Sequence, residues 1–316
     1  MIEGAIMVFE GVLDEDIDYA SGVAQKLNIP FHVFDFAKEY QEKIIENFVS
    51  EYSHGRTPNP CVLCNKFIKF DLFLKKATEL GIDKIATGHY AGVEEDDGRF
   101  ILKRGKDKNE QSYFLYRLDQ KQLSKIVLPL GLYTKQEVRK LAAEFNLPTA
   151  QRKKSQDVCF IPDGDYTAYL KKFLKPKPGP VLDKTGKKIG GHKGIVFYTN
   201  GQRKGIGISH KNPYYVIRID AQNNAIYVGE KNDIYKSKLI AKDLNFISVN
   251  SLEEKLQVLA KARYFAPLSE ATIEPYSYKC VKVEFKSPQW ALTPGQSVVF
   301  YRDDLVLGGG IIDEVL

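Results

Sequence analysis

The residues of this sequence best suited to chemistry are its thiols. Cys61 and Cys64 stand two residues apart in "TPNPCVLCNK", Cys159 lies in "SQDVCFIP" and Cys280 in "SYKCVKV", the only four cysteines among 316 residues. A Cys-x-x-Cys spacing lets two sulfurs converge on one point, so the pair can hold a metal, cycle through a disulfide, or supply a sulfur nucleophile. Four cysteines are too few to staple a chain of this length. A reducing compartment, with metal binding or thiol chemistry, is the better reading. Cys280 alone reads as a strand residue, and the proline-rich run before Cys61 predicts that the Cys61–Cys64 pair sits in a loop.

Elements must hold these thiols in place, and the N-terminal half supplies alternating strands and helices. "AIMVF" at 5–9 reads as a buried strand, Ile17, Ala20, Val23, Ala24 and Leu27 recur at helical spacing, and "IPFHVFD" is a second strand. A further helix is predicted over 36–52. Another follows the cysteine pair with Leu63, Phe67, Phe70 and Phe73 on one side, and "IDKIATGHY" ends a third strand at Gly88 and His89. Thr134 and Glu137 form a capping box that opens "KQEVRKLAAEF". This order predicts an α/β domain with a parallel sheet covered on both faces, whose ligands bind beyond the carboxyl ends of the strands.

After about residue 165 the texture changes. "LKPKPGPVLDKTGKKIGGHKG" is rich in Pro, Gly and Lys, and short alternating runs such as "YYVIRID", "AIYVGE", "VKVEF" and "SVVFYRDD" predict small β-barrels or sandwiches. The expected division is 1–165, 166–235 and 236–316. Hydrophobic residues make up 43% and charged residues 27%, an ordinary globular balance. No run of eighteen apolar residues occurs and the N-terminus lacks the basic start of a signal peptide, so a soluble cytoplasmic protein without a membrane partner is expected. The net charge of +6 is unevenly placed: Lys171 to Lys211 holds eleven Lys and Arg against one acid, Asp183. Such clustering favours a polyanion, with Arg203 and Lys204 of "GQRKG" among its contacts, against the plainer reading of a solvated basic face.

Seven motifs occur in one order: "GRTPNPCVLCNKFIKFD", "ATGHYA", "EQSYFLYRL", "SQDVCFIP", "YTNGQRKGIGI", "ARYFAP" and "LTPGQSVVFY". Together they resemble the tRNA-specific 2-thiouridylase (MnmA/TrmU) family over nearly the whole chain. The resemblance implies an ATP-pyrophosphatase-like (adenine nucleotide alpha hydrolase-like) domain, a small central domain and a C-terminal β-barrel. It also implies an activity, sulfur placed on carbon 2 of the wobble uridine of tRNA after ATP, with magnesium, adenylates the C2 oxygen. By the same resemblance Cys159 carries a persulfide and Cys64 is the nucleophile that resolves it. Gly88 lies against the nucleotide. Asn65, Lys66 and Phe67 face the target base, and His89, Asn109, Glu110, Gln111, Arg263, Tyr264 and Gln296 contact tRNA. A Tyr in "KARYF" or a His ending a strand more often packs than functions, so each of these roles stands on the resemblance.

The chain departs from the family pattern in three places. Its first residues match the family's second strand, so the Ser-Gly-Gly-x-Asp-Ser phosphate loop is expected to be missing; the glycine-dense "GKKIGGHKG" and "LGGGII" read as tight turns instead. Asn109 and Glu110 stand where the family has Lys and Asp. An amide there cannot neutralise phosphate as an ammonium can. Cys61 stands where many relatives have Asp. Cys61, Cys64 and Cys159 offer three thiolates without an obvious fourth ligand among five histidines, which suits an iron–sulfur cluster with an open iron better than structural zinc. The expected function is a tRNA-uridine 2-sulfurtransferase that draws on sulfide or a persulfide carrier protein. The alternatives are a diverged ATP-independent relative that binds tRNA and carries a cluster, and a zinc-stabilised RNA-binding protein without catalysis.

Overall fold

The computed structural model describes residues 2–147, 158–161 and 164–316. Two compact units divide the chain, one formed by Met1–Glu46 with Pro60–Asp165, the other by Asn47–Asn59 with Tyr166–Leu316.

In the first unit, strand Gly4–Val8 pairs in parallel with Phe31–Asp35, Gly4 opposite Phe31 and Val8 opposite Asp35. Helix Asp14–Leu27 connects them. Its first turn carries Asp14, Glu15 and Asp16, which complement the positive end of the helix, and Asn28 closes it in the left-handed conformation. A second parallel pair, Ile85–Ala86 with Ile126–Val127, leads directly to Gly88 and His89. The expected β-α-β order and parallel pairing are thus present, as two separate ladders among the described residues. Helix Lys135–Glu144 opens on the predicted box: the Thr134 amide donates to Glu137 Oε2 at 2.6 Å and the Glu137 amide to Thr134 Oγ1 at 3.3 Å.

The cysteine pair is not in a loop. Helix begins at Pro60, so Cys61 and Cys64 occupy its first two turns: Pro60–Leu63 is α-helical, Cys64–Leu72 π-helical and Phe73–Glu79 α-helical again. A proline at the first helical position costs nothing, since the N–H it lacks would have no helical partner and its φ already suits the helix. The predicted face fails for a related reason. Hydrogen bonds from i to i+5 widen each turn, so the 3.6-residue period slips; Val62, Ile68 and Phe70 are buried, whereas Leu63, Phe67 and Phe73 are half-buried.

The second unit is β-rich, as expected. A four-stranded sheet runs in the order Lys188–His192, Gly179–Leu182, Ala225–Gly229, Tyr215–Asp220, its middle pair parallel and its outer pairs antiparallel. Six further strands close into a barrel in the ring order Tyr235–Phe246, Cys280–Trp290, Ser269–Ser277, Leu256–Lys261, Ser297–Arg302, Leu305–Val315. Closure removes free sheet edges, and alternate residues such as Leu239, Ala241, Ile273, Val283, Val298 and Phe300 fill the interior. The glycine-dense segments are tight turns only in part: Gly186 closes a turn, its amide donating to the Asp183 carbonyl at 3.0 Å, whereas Gly190 and Gly191 lie in strand Lys188–His192 and Gly308, Gly309 and Gly310 in Leu305–Val315. In Leu305–Val315 the partner strand comes so close that a Cβ on Gly308, whose φ is +153°, would stand 2.2 Å from the Asn245 carbonyl oxygen. Among the described residues no helix is long and apolar enough to cross a membrane.

Candidate active site

Cys61, Cys64 and Cys159 lie in the first unit within electrostatic reach of one another. Cys159 is exposed, Cys61 partly buried and Cys64 buried. The Tyr40 hydroxyl lies 3.2 Å from Cys159 Sγ. Tyr40 is itself 1% exposed; its ring stacks on Phe9 at 4.3 Å and meets the edge of Phe160 at 5.9 Å. Gly11 (φ +95°) abuts the main chain of Cys159, where a Cβ would come within 2.2 Å of the Cys159 carbonyl oxygen.

Burial sets the electrostatics. It pushes the Cys61 thiol up to about 11, with Cys159 adding to the rise and Lys69 opposing it. The Cys64 thiol is pushed up to about 12 by burial, opposed by Lys69 and reinforced by Cys159 and Cys61. Each thiol is therefore within electrostatic reach of the others, and Lys69 is the cation that eases ionisation of both helical ones. Tyr40 is held far above the ordinary phenol range, by burial first and by the three cysteines after it. Burial, with Lys69 adding, holds His89 at about 3 and so neutral at physiological pH. His89 Nδ1 stands 2.8 Å from Thr87 Oγ1, and the ring tilts against Phe70 at 5.6 Å. That imidazole is a hydrogen-bonding group and not an acid–base pair member near neutrality.

Sequence reasoning missed Tyr40 and Lys69. Lys69 follows Cys64 by five residues, one π-helical turn, a relation that a 3.6-residue period places on another side of the helix. Nothing about Tyr40 in "KEYQEK" points to Cys159, 119 residues away.

The remaining candidates fall in two groups. Asn65 is 3% exposed; its Nδ2 donates to the Phe114 carbonyl at 3.2 Å, and its Oδ1 has no partner among the described residues. The Lys66 and Lys43 ammoniums stand 5.3 and 5.2 Å from the Phe67 ring centroid. Gly88 has an open side, a Cβ there meeting only Leu130 at 3.6 Å. Asn109, Glu110 and Gln111 are tied inward: the Asn109 amide donates to Asp107 at 2.7 Å, Glu110 accepts from the Ser112 amide at 2.9 Å, and Gln111 accepts from the Tyr90 amide at 3.1 Å. In the second unit Arg203 and Lys204 are exposed, and Arg203 lines a cavity of about 390 Å³ with Ile206, Ile208, Pro213 and Tyr214. Arg263 donates to the Asn200 carbonyl and to Thr293 Oγ1. Tyr264 packs against Phe265, which is 87% exposed. Gln296 Nε2 donates to the Thr57 and Pro58 carbonyls at 2.9 and 3.1 Å, so its amide serves as an internal brace.

Among the described residues no group of three His, Cys, Asp or Glu is arranged to hold a metal ion. The three thiols nonetheless have the soft donor chemistry that iron–sulfur clusters use.

A parallel α/β unit that gathers thiols beside a lysine, followed by a small sheet and a closed barrel, defines a thiol-bearing HUP-type protein with two β-rich modules. The family models agree in order: "tRNA methyl transferase HUP domain" matches residues 8–163, "tRNA methyl transferase PRC-barrel domain" 167–230, and "Aminomethyltransferase beta-barrel domain" 236–312. Relatives that match over nearly the whole chain are named for thiolation. The tRNA-specific 2-thiouridylase MnmA of Clostridium perfringens is 48% identical over 303 residues, covering 95% of this chain and 84% of that protein. MnmA 1 of Caldanaerobacter subterraneus subsp. tengcongensis is 51% identical over 300 residues (93% and 82%), and MnmA of Clostridioides difficile 47% over 320 (100% and 87%). The chain belongs to the tRNA-specific 2-thiouridylase family.

Proposed function

We propose that this protein forms 2-thiouridine at the wobble position of tRNA, by adenylation of the uridine C2 oxygen followed by sulfur transfer. The observation that carries the reading is the gathering of Cys64 and Cys159 in the α/β unit of a chain 48–51% identical to named 2-thiouridylases. A pyrimidine carbonyl is a poor electrophile with a poor leaving group. Transfer of AMP from ATP, with magnesium, to the C2 oxygen turns that oxygen into a leaving group. A persulfide on Cys159 attacks C2 through its outer sulfur, and AMP departs. Cys64 thiolate then attacks Cys159 Sγ; a Cys64–Cys159 disulfide forms, the sulfur left on C2 takes the electron pair, and a cellular dithiol reduces the disulfide. Lys69 favours the Cys64 thiolate in this step. A persulfide carrier protein renews the persulfide by passing its outer sulfur to the reduced Cys159 thiolate and leaving as a thiol; sulfide renews it by attacking the Cys64–Cys159 disulfide at Cys159 Sγ before any dithiol does, which releases the Cys64 thiolate, and the reducing cytoplasm is the compartment that suits these thiols.

Gly88, with its open side, faces the nucleotide in this reading. Lys66 and Phe67 face tRNA near the target base, with the buried Asn65 and His89 and the inward-tied Asn109, Glu110 and Gln111 shaping the surface it meets; Arg203, Lys204, Arg263 and Tyr264 serve tRNA from the second unit, and Gln296 does so through the Thr57–Pro58 segment it braces. The functional domains are 1–165, 166–235 and 236–316. Cys61, partly buried and within electrostatic reach of Cys159, favours a second route. In that route Cys61, Cys64 and Cys159 would be the ligands of an iron–sulfur cluster, which would bind and deliver sulfide.

Unthiolated tRNA, ATP, magnesium and sulfide, incubated with the protein and followed by nucleoside mass spectrometry, test the activity. Appearance of 2-thiouridine is expected; none in the presence of either sulfide or a persulfide donor would overturn the reading. Iron and sulfide analysis after anaerobic reconstitution separates the two sulfur routes.

A further inference from the structure

Cys159 is exposed, yet both its ends are seated. Its main chain rests on Gly11, where even one added carbon would collide, and its sulfur meets the Tyr40 hydroxyl at 3.2 Å. The Tyr40 ring has little freedom: Phe9 stacks on its face, the two planes within 2° of parallel, and Phe160, the neighbour of Cys159 in the chain, closes its edge. Tyr40 also ends the α-helical turn Ala37–Tyr40, directly before the π-helical Gln41–Ile45. Local widening of a helix of this kind re-aims side chains and recurs at functional sites.

We propose that Tyr40 is the positioning residue of Cys159, its hydroxyl holding the sulfur in line with the Cys61–Cys64 turns of the neighbouring helix. A phenylalanine would fill the same space without a buried hydroxyl to satisfy, and sulfur is a weak partner for such a group. The hydroxyl therefore makes little sense as packing alone. A thiolate, or the inner sulfur of a persulfide, carries no hydrogen, so in either state Tyr40 is the donor and the sulfur the acceptor. That bond fixes the side-chain rotamer of an exposed cysteine whose reaction partner is buried. The Tyr40 hydroxyl lies within electrostatic reach of Cys61 and Cys64 as well as Cys159, which places it at the junction of the three.

The inference builds on the sulfur-carrying role of Cys159, but its primary readout needs neither tRNA nor ATP. The full chain is treated with diamide, an azo oxidant; the Cys64–Cys159 bond forms as the two S–H hydrogens and two electrons pass to the azo group, giving the hydrazine. Crosslinking is timed by peptide mass spectrometry, with alkylation of Cys280 as internal control. Tyr40→Phe is expected to slow crosslinking by about tenfold, the loss of one hydrogen bond to an ionised group, with Cys280 unchanged. In thiolation, kcat falls while KM for tRNA holds. Crosslinking of Tyr40→Phe at the parent rate, or a parent protein that forms no Cys64–Cys159 bond, would overturn the proposal. Should Tyr40→Phe lose its cooperative thermal transition, Gly11→Ala carries the test by pushing the Cys159 main chain off its seat. Parent-rate crosslinking in that variant would equally count against it. Absence of 2-thiouridine with the crosslinking difference intact would strike the proposed function and leave the positioning role standing.

Discussion

Lys69 follows Cys64 by one π-helical turn, and its charge opposes the burial that pushes the Cys64 thiol up to about 12. The same ammonium acts on Cys61 and His89, so one side chain biases two sulfurs toward ionisation and adds to the burial that keeps an imidazole neutral.

Lys69→Met is accordingly expected to raise the Cys64 thiol further. One unit of rise lowers the thiolate fraction about tenfold, so alkylation of Cys64 at fixed pH and thiolation turnover should fall by a similar factor. Equal alkylation rates in the two proteins would refute the assignment of Lys69 as the activating charge.

Stability should decline at alkaline pH through the same thiols. Cys61 and Cys64 have folded values of about 11 and 12, above the ordinary thiol, so their contribution is complete below about pH 8.5 and is lost as pH rises toward 11–12. Denaturant titrations at pH 8 and pH 10 should show a loss that shrinks in Cys61→Ala/Cys64→Ala. An identical loss in that double variant would place the alkaline sensitivity elsewhere.

His89 acts on the acid side. Its folded value of about 3 is depressed, so its contribution is complete above the ordinary histidine value of about 6.5 and is lost as pH falls toward 3. Protonation in the unfolded chain alone costs about 2 kcal/mol of stability at pH 5 relative to pH 7. His89→Gln should flatten that interval of the pH–stability curve by this amount; a curve parallel to the parent's would show that His89 is not desolvated as described.

Arg203 and Lys204 are exposed within the basic segment, and each phosphate they meet should contribute about one unit to the slope of log affinity against log salt. Replacing both with Ala is expected to flatten the slope for tRNA by up to about two units. Unchanged slope and affinity would mark this face as merely solvated.

The barrel depends on close backbone approach at Gly308, where both φ and the Asn245 carbonyl exclude a side chain. Gly308→Ala should cost about 1–3 kcal/mol, or more if the strand pairing opens, measured by chemical denaturation. A loss below about half a kilocalorie would mean that the strand shifts freely.

Much of this protein was legible in its sequence because local chemistry determined it. The Thr134–Glu137 box, the parallel order of Gly4–Val8 and Phe31–Asp35, the strands that close the barrel, and the candidate thiols all follow from period, capping and residue type. The tertiary structure decided what lies between distant segments. It placed Cys61 and Cys64 on a helix because Pro60 opens one, and the π-helical turn brought Lys69 under Cys64, a neighbour that α-helical spacing conceals. It set the Tyr40 hydroxyl on Cys159 across 119 residues and turned Gln296 inward onto Thr57 and Pro58. Sequence period reports which face of an element avoids water. It carries no information on which partner that face meets, because burial is non-directional, whereas the hydrogen bonds and charges that tune a thiol act only at distances the closed fold creates.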